Sequence, residues 1–439
     1  MPEPDQGRLG EEMLGLIGEL YPICRSITGN GVRETLRILS RVAPLEIREV
    51  ATGTQVLDWT VPREWNIKDA WIKDAQGRTL VDFKACNLHV MSYSVPTRAR
   101  LSLAELRPHL HALPDHPDWI PYRTSYYRDE WGFCLTQRQL DALTDGEYEV
   151  CIDSSLADGH LSYGELVLPG ELEDEILLSA HVCHPSLADD NLSGLAVAAV
   201  LARQLAAAKR RRHTLRFLFA PGTIGTITWL AQNRARAARI RHGLTLVCLG
   251  DSHGFTYKRT LGGKAEIDRA VEHVLRHATE RYDAIDFFPY GYDERQYNSP
   301  GFRLPVGSLM RGRHGQFPEY HTSADNPDFV SAKHLAEAYE VIARTIGVLE
   351  GNLAYRSTSP WGEPQLGRRG LFRAVGGSEL PGLDLALLWV LCLADGSLSL
   401  LDVAERAGMD FRVVRHAADL LVAHDLLVPA AGAEAPPRP

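Results

Sequence analysis

The sequence predicts an α/β protein with a mainly parallel sheet flanked by helices, and three observations carry that prediction. Apolar, strand-like runs recur at Ile176–Ser179, Leu215–Ala220, Leu244–Leu249 and Leu304–Leu309. Helical patterns alternate with them over Ser193–Lys209, Ile224–Arg239, Glu266–Tyr282 and Ala332–Leu353. Such alternation builds parallel sheets covered on both faces, because a parallel crossover needs a connection of helix length. Finally, His181, Pro221-Gly222 and Asp251 each follow the end of a run, which is where open α/β sheets bind ligands.

The remaining elements read in order. Glu11–Leu20 has helical apolar spacing, and Arg33–Val42 resumes it after the Gly29-Asn30-Gly31 turn. Short β-like runs follow at Glu46–Val50, Gln55–Val61, Asn66–Lys73 and Glu147–Ile152. Pro114, Pro117 and Pro121 mark an irregular connection into the aromatic stretch Tyr122–Phe133. Arg356–Gly377 is rich in Gly, Pro and Arg and reads as a linker. Three short helices, at Leu383–Leu393, Ser399–Ala407 and Arg412–Asp425, then join the Asp395-Gly396 turn and the Leu426-Leu427-Val428 run in a small winged-helix unit. The Ala/Pro-rich end from Ala430 reads as disordered. The expected division is residues 1–45 and 166–355 for the main domain, 46–165 for an inserted β-rich domain, and 356–439 for linker, winged helix and tail.

Composition narrows the function classes. A chain of 439 residues with 45% hydrophobic and 23% charged residues can bury a substantial core. A net charge of -9 gives no support to binding nucleic acid or an anionic membrane surface. There is no apolar run of membrane-spanning length, and the start, Met1-Pro2-Glu3-Pro4-Asp5, lacks a signal pattern. Seven cysteines without a framework suit a reducing cytoplasm. The expectation is a cytoplasmic protein, with homo-oligomerisation left open.

Metal chemistry explains the most distinctive segments. His181 lies in Ser179-Ala180-His181-Val182-Cys183-His184-Pro185-Ser186, and the Asp189-Asp190-Asn191-Leu192-Ser193-Gly194 turn follows. His321 lies in Tyr320-His321-Thr322-Ser323-Ala324-Asp325-Asn326. Imidazole and carboxylate are the ligands of catalytic zinc, usually three from protein with one position open. A lone histidine is more often packed or exposed than ligating. Two such motifs beside an Asp-Asp-Asn turn favour a metal.

Together these segments resemble a bacterial family of aminopeptidase-like proteins in the zinc aminopeptidase (glutaminyl-cyclase-like) clan, with an inserted β domain and a C-terminal winged helix. The resemblance covers nearly the whole chain. It is carried by Pro22-Ile23-Cys24-Arg25-Ser26-Ile27-Thr28-Gly29, Tyr126-Tyr127, Trp131-Gly132-Phe133-Cys134, the His181 segment, Asp293-Glu294-Arg295-Gln296-Tyr297 with Ser299-Pro300-Gly301, and Tyr320-His321-Thr322-Ser323. By resemblance, His181, Asp189 and His321 hold one zinc or similar divalent ion. Asp251 falls where the clan has a further carboxylate ligand, and a turn cap is an equal reading of it.

The chain departs from the clan at telling positions. Where the clan has an aspartate orienting the first imidazole, this chain has Cys183, which cannot accept as a carboxylate does. Cys183 could be a thiolate ligand and His184 a second imidazole, but a packing role is favoured for each. The resembling family's Pro-Glu-Thr-Ile-Gly segment here reads Pro221-Gly222-Thr223-Ile224-Gly225, so Gly222 stands at the general-base position and Thr223 at a ligand position. A positioned base is worth roughly 10²–10⁴-fold in rate. Glu294 is the candidate substitute, with an Arg-paired acid as the competing reading.

Tyr297, Tyr320 and Arg311 are candidate substrate-binding residues, as phenol donors and as a carboxylate fork, while Tyr292 reads as packing. Arg412, Arg415 and His416 on the last helix are offset by Asp419 and Asp425, so DNA binding is not expected. The leading expectation is a metal-dependent aminopeptidase-like protein acting on an amide or peptide-like small substrate, with impaired or altered catalysis. The alternatives are a non-hydrolytic descendant using the same pocket and a winged-helix regulator with a peptidase-derived ligand domain.

Overall fold

A computed structural model describes residues 5–208, 210–371 and 382–430. The tail after Ala430, Lys209 and the later part of the expected linker lie outside the described residues. The chain divides into two compact units, Met1–Ala265 with Asp283–Glu340, and Glu266–Tyr282 with Val341–Pro439.

An eight-stranded sheet organises the first. Its strands are β1 (Glu46–Ala51), β2 (His160–Leu168), β3 (Leu172–His181), β4 (His213–Ala220), β5 (Ile240–Leu246), β6 (Phe255–Lys258), β7 (Tyr282–Ile285) and β8 (Val306–Met310). Their order is β1-β2-β4-β3-β5-β8-β6-β7. The centre is parallel, β3 pairing with β4 and β5, and β5 with β8. The borders are antiparallel, through β1–β2, β2–β4 and β6–β8. The α/β expectation holds, with a parallel core inside a mixed sheet. Ile176, Leu177 and Leu178 of β3 are at most 1% exposed, as a strand covered on both faces requires.

Helices Gln6–Leu20, Asn30–Val42, Gly194–Ala206 and Ile224–Gln232 belong to the same unit. Gly194–Ala206 is buried on every face through Ala202, which explains its small residues. The expected helix over Ile224–Arg239 is instead two pieces, Ile224–Gln232 and Arg234–Ala237. Asn233 leaves helical geometry between them, and its side chain donates to the Trp229 carbonyl.

The insert is smaller than the sequence reading made it. Its four-stranded sheet runs Thr79–Asp82, Glu64–Asp74, Glu147–Ala157 and Thr97–Ser102. Glu46–Ala51, read as its first strand, is β1 and pairs with β2. Its mostly exposed residues suit an edge strand, and edge polarity in the sequence does not reveal which sheet is bordered.

In the second unit, helices Gly382–Leu393, Leu400–Ala407 and Phe411–Ala423 accompany a three-stranded sheet of Asp395–Ser399, Ala354–Ser357 and Leu427–Pro429, a winged helix. A Ser399–Asp402 capping box starts its second helix, and left-handed Gly408 ends it. Helix Glu266–Ala278, expected among the sheet helices, clusters here: Phe411 N–H donates to His273 Nε2 at 3.0 Å, and Arg269 pairs with Asp402 and Glu405. No described helix is long and apolar enough to cross a membrane.

Candidate metal centre

The parallel register sets the site. His181 ends β3 opposite Ala220, the end of β4, so the next residues of both strands, including Gly222, emerge side by side. The chain then enters the irregular turn Ala188–Ser193, where Asp190 and Asn191 leave helical geometry. This turn sends neighbouring carboxylates in opposite directions. Asp190 faces the imidazoles, with Oδ1 2.9 Å from His181 Nε2 and 3.5 Å from His184 Nδ1, and Oδ2 3.0 Å from His321 Nε2. His181 and His184 meet at 3.1 Å. Burial opposes ionisation of Asp190, but His184, His181 and His321 outweigh it and hold the carboxyl well below its usual range.

Asp189, the expected ligand, turns inward. Its Oδ1 accepts from Gly250 N–H at 2.7 Å. Burial and the Asp251 and Asp325 carboxylates push it well above the usual range. Asp251 also stays away from the imidazoles, accepting from His253 N–H at 2.6 Å, His253 Nδ1 at 2.8 Å and Gly312 N–H at 2.9 Å. It is a turn cap, because the chain after β5 directs its oxygens to local donors. Sequence alone cannot resolve which residue of an Asp-Asp pair faces inward when the turn is irregular.

Two residues that hold the centre had no strong signal. Asp325 accepts from the N–H groups of Asp189 at 2.6 Å and Asp190 at 2.9 Å, clamping the turn. Asn191 Nδ2 donates to the Leu246 carbonyl at 2.9 Å and lies 3.4 Å from His181 Nδ1. Asn191, not Cys183, therefore neighbours the second nitrogen of that ring. The Cys183 thiol lies 3.2 Å from Tyr292 Oη, and burial pushes it up to about 12, which disfavours a thiolate.

Aromatic rings wall the cluster. Tyr292 lies over His181 with centroids 4.0 Å apart, and Tyr320 stacks on His321 at 4.0 Å. Tyr122 presents its ring to His184 and His321 at 5.1 and 5.0 Å. Tyr297 is instead fully buried, its hydroxyl hydrogen-bonded to Ser179 Oγ at 3.0 Å. Arg311 is paired with Glu337 at 3.0 Å and donates to the His253 carbonyl at 2.9 Å, so its fork is occupied. Glu294 is fully buried, 2.7 Å from Lys258 Nζ, and accepts from Tyr292 N–H. The expected substitute base is thus half of a buried ion pair, fixed by a lysine that sequence separation concealed.

The donor set suits a divalent ion: the candidate ligand atoms of His181, His184 and Asp190 lie within 4.8 Å of one another, and His321, outside that group, reaches it through Asp190 Oδ2.

The fold is that of an aminopeptidase-like protein. The chain matches the zinc aminopeptidase of Bacillus subtilis, BSAP, with a TM-score of 0.55 at 12% identity, over 77% of this chain and 94% of that one. The chain belongs to the family described as Domain of unknown function (DUF4910), whose model matches residues 14–352, and a winged helix-turn-helix model matches residues 353–429. A Clostridium acetobutylicum protein described as a candidate polysaccharide biosynthesis protein with an aminopeptidase-like domain is 52% identical over 419 residues, covering 95% of this chain and 96% of the relative. A crystal structure of a candidate peptidase from Clostridium acetobutylicum has a TM-score of 0.92 at 50% identity, covering 97% of each chain.

Proposed function

We propose that this protein is a metal-dependent, aminopeptidase-like protein of the cytoplasm that acts on an amide or peptide-like small substrate. His181, Asp190 and His321 would hold one divalent ion, zinc or similar. The observation that carries the reading is the convergence of His181 and His321, from two distant motifs, on the buried Asp190 carboxylate. Bound there, the ion would supply Lewis acidity toward a carbonyl oxygen. The chain's own groups exclude water through Tyr122, Tyr292 and Tyr320 and fix the carboxylate through Asp325.

A second reading is favoured by one observation: the space beside Gly222 is filled by Tyr292. A pocket with no carboxylate at residue 222 suits binding, or another metal-assisted reaction, better than fast hydrolysis. The polysaccharide-related description of the Clostridium relative makes an amide-bearing saccharide precursor a fitting substrate to try. The regulator reading is weaker, because Arg412 pairs with Asp410 and Arg415 with Asp419, leaving little for phosphates.

Metal analysis of the purified parent and of His321→Ala tests the first reading. Close to one equivalent in the parent and much less in the variant are expected. Equal metal in both would remove the assignment.

A further inference from the structure

We propose that His184 is a fourth ligand of this centre, making it a three-imidazole, one-carboxylate site for a divalent ion that favours five or six positions, such as iron(II), manganese(II) or cobalt(II). This rests on the metal-dependent reading above and specifies its ion.

His184 is placed as closely as the other ligands. Its Nδ1 lies 3.1 Å from His181 Nε2 and 3.5 Å from Asp190 Oδ1, and its side chain is 5% exposed. At most one proton fits between two ring nitrogens at that separation, whereas one cation serves both lone pairs and the carboxylate. The backbone of His184 is held from behind. Arg25, 1% exposed, donates to the His184 carbonyl at 3.0 Å, to Thr35 Oγ1 at 2.9 Å and to the Leu20 carbonyl. These acceptors are neutral, so a buried guanidinium is used to fix the segment that carries this imidazole. Tyr122 limits the ring on its other side.

Ligand number then selects the ion. Four protein ligands complete a tetrahedron, the arrangement of structural zinc, while catalytic zinc keeps a fourth position open. An ion of octahedral habit held by the same four groups would have ligand capacity to spare for substrate. The His321 side chain is 32% exposed, against 1% for His181, so the cluster opens to solvent on the His321 side.

Cobalt(II) reports coordination directly. The full chain would be stripped with a chelator, reloaded with cobalt(II), and examined by visible absorption and by affinity. Weak ligand-field bands, characteristic of five or six ligands, are expected in the parent. His184→Ala should bind cobalt ~10-fold or more weakly and give a changed spectrum. Intense four-coordinate bands in the parent, or unchanged affinity and spectrum in the variant, overturn the proposal while leaving the metal-dependent reading intact. A parent that binds no cobalt overturns both. If His184→Ala does not fold, His184→Gln and the parent spectrum decide.

Discussion

The ring of Tyr292 occupies the space above Gly222: a Cβ at residue 222 would lie 2.0 Å from Tyr292 Cε1 and 2.6 Å from its Oη. Gly222 is not among the glycines with left-handed φ, so the obstacle to a side chain there is the neighbouring ring and not the backbone. A side chain at residue 222 and the Tyr292 ring exclude one another.

On the reading that residue 222 is a general-base position, placing a carboxylate there needs two changes. Gly222→Glu alone should be overpacked by about 1–3 kcal/mol and gain no hydrolysis of aminoacyl p-nitroanilides. Gly222→Glu with Tyr292→Ala opens the space, and a gain on the order of 10²-fold is expected. A stable single variant with increased activity would show that the ring yields.

Asp189 and Asp190 should separate cleanly in metal titrations. Asp190→Asn removes the carboxylate that meets three imidazoles, and its metal affinity should fall ~10-fold or more. Asp189→Asn replaces a carboxyl that burial and its acidic neighbours already disfavour as an anion, and should retain the metal. The reverse result would return the ligand role to Asp189.

The sequence made the fold legible because β3, β4 and β5 are continuous apolar runs between helices, and His181 follows the end of such a run. It also exposed His321, through a motif of its own. What stayed hidden depends on direction within a turn or on distant partners. Asp189 and Asp190 are chemically identical neighbours, so only the irregular path of Ala188–Ser193 distinguishes them. Glu294 read as a base or an Arg-paired acid, and its partner is instead Lys258, at the end of β6 and 2.7 Å away. β1 looked like part of the insert because an exposed edge carries no mark of the sheet it joins.

Lys258→Met should destabilise the first unit by about 3–5 kcal/mol, since it leaves a buried glutamate unpaired. Both side chains are at most 1% exposed, and Lys258 also donates to the Tyr290 carbonyl at 2.9 Å. Chemical denaturation reads the loss, and Lys258→Met with Glu294→Leu should recover much of it. An unstable double variant would assign the effect to the shape of the loop and not to the charge.

The second unit should weaken in acid. His273 is shifted from 6.5 to about 4, chiefly by burial and then by His277, while its Nε2 accepts from Phe411 N–H. The unfolded chain takes up the proton first, so this contribution is present above about pH 6.5 and is lost as pH falls toward 4. Thermal unfolding of the parent between pH 7 and 4 should follow that slope, and His273→Gln should flatten it. An equal slope in both would clear His273.

Asp325 gives the centre a property of the whole chain. The Tyr320–Asp325 stretch reaches the Asp189–Asp190 turn twice: His321 meets the Asp190 carboxylate across 131 positions, and Asp325 takes the Asp189 N–H across 136. His321 and Asp325 therefore arrive together or not at all, and closing so long a loop has an entropic cost that no single bond offsets. An ion seated among these residues would act as a clasp between remote parts of the polypeptide, turning metal binding into resistance to unfolding.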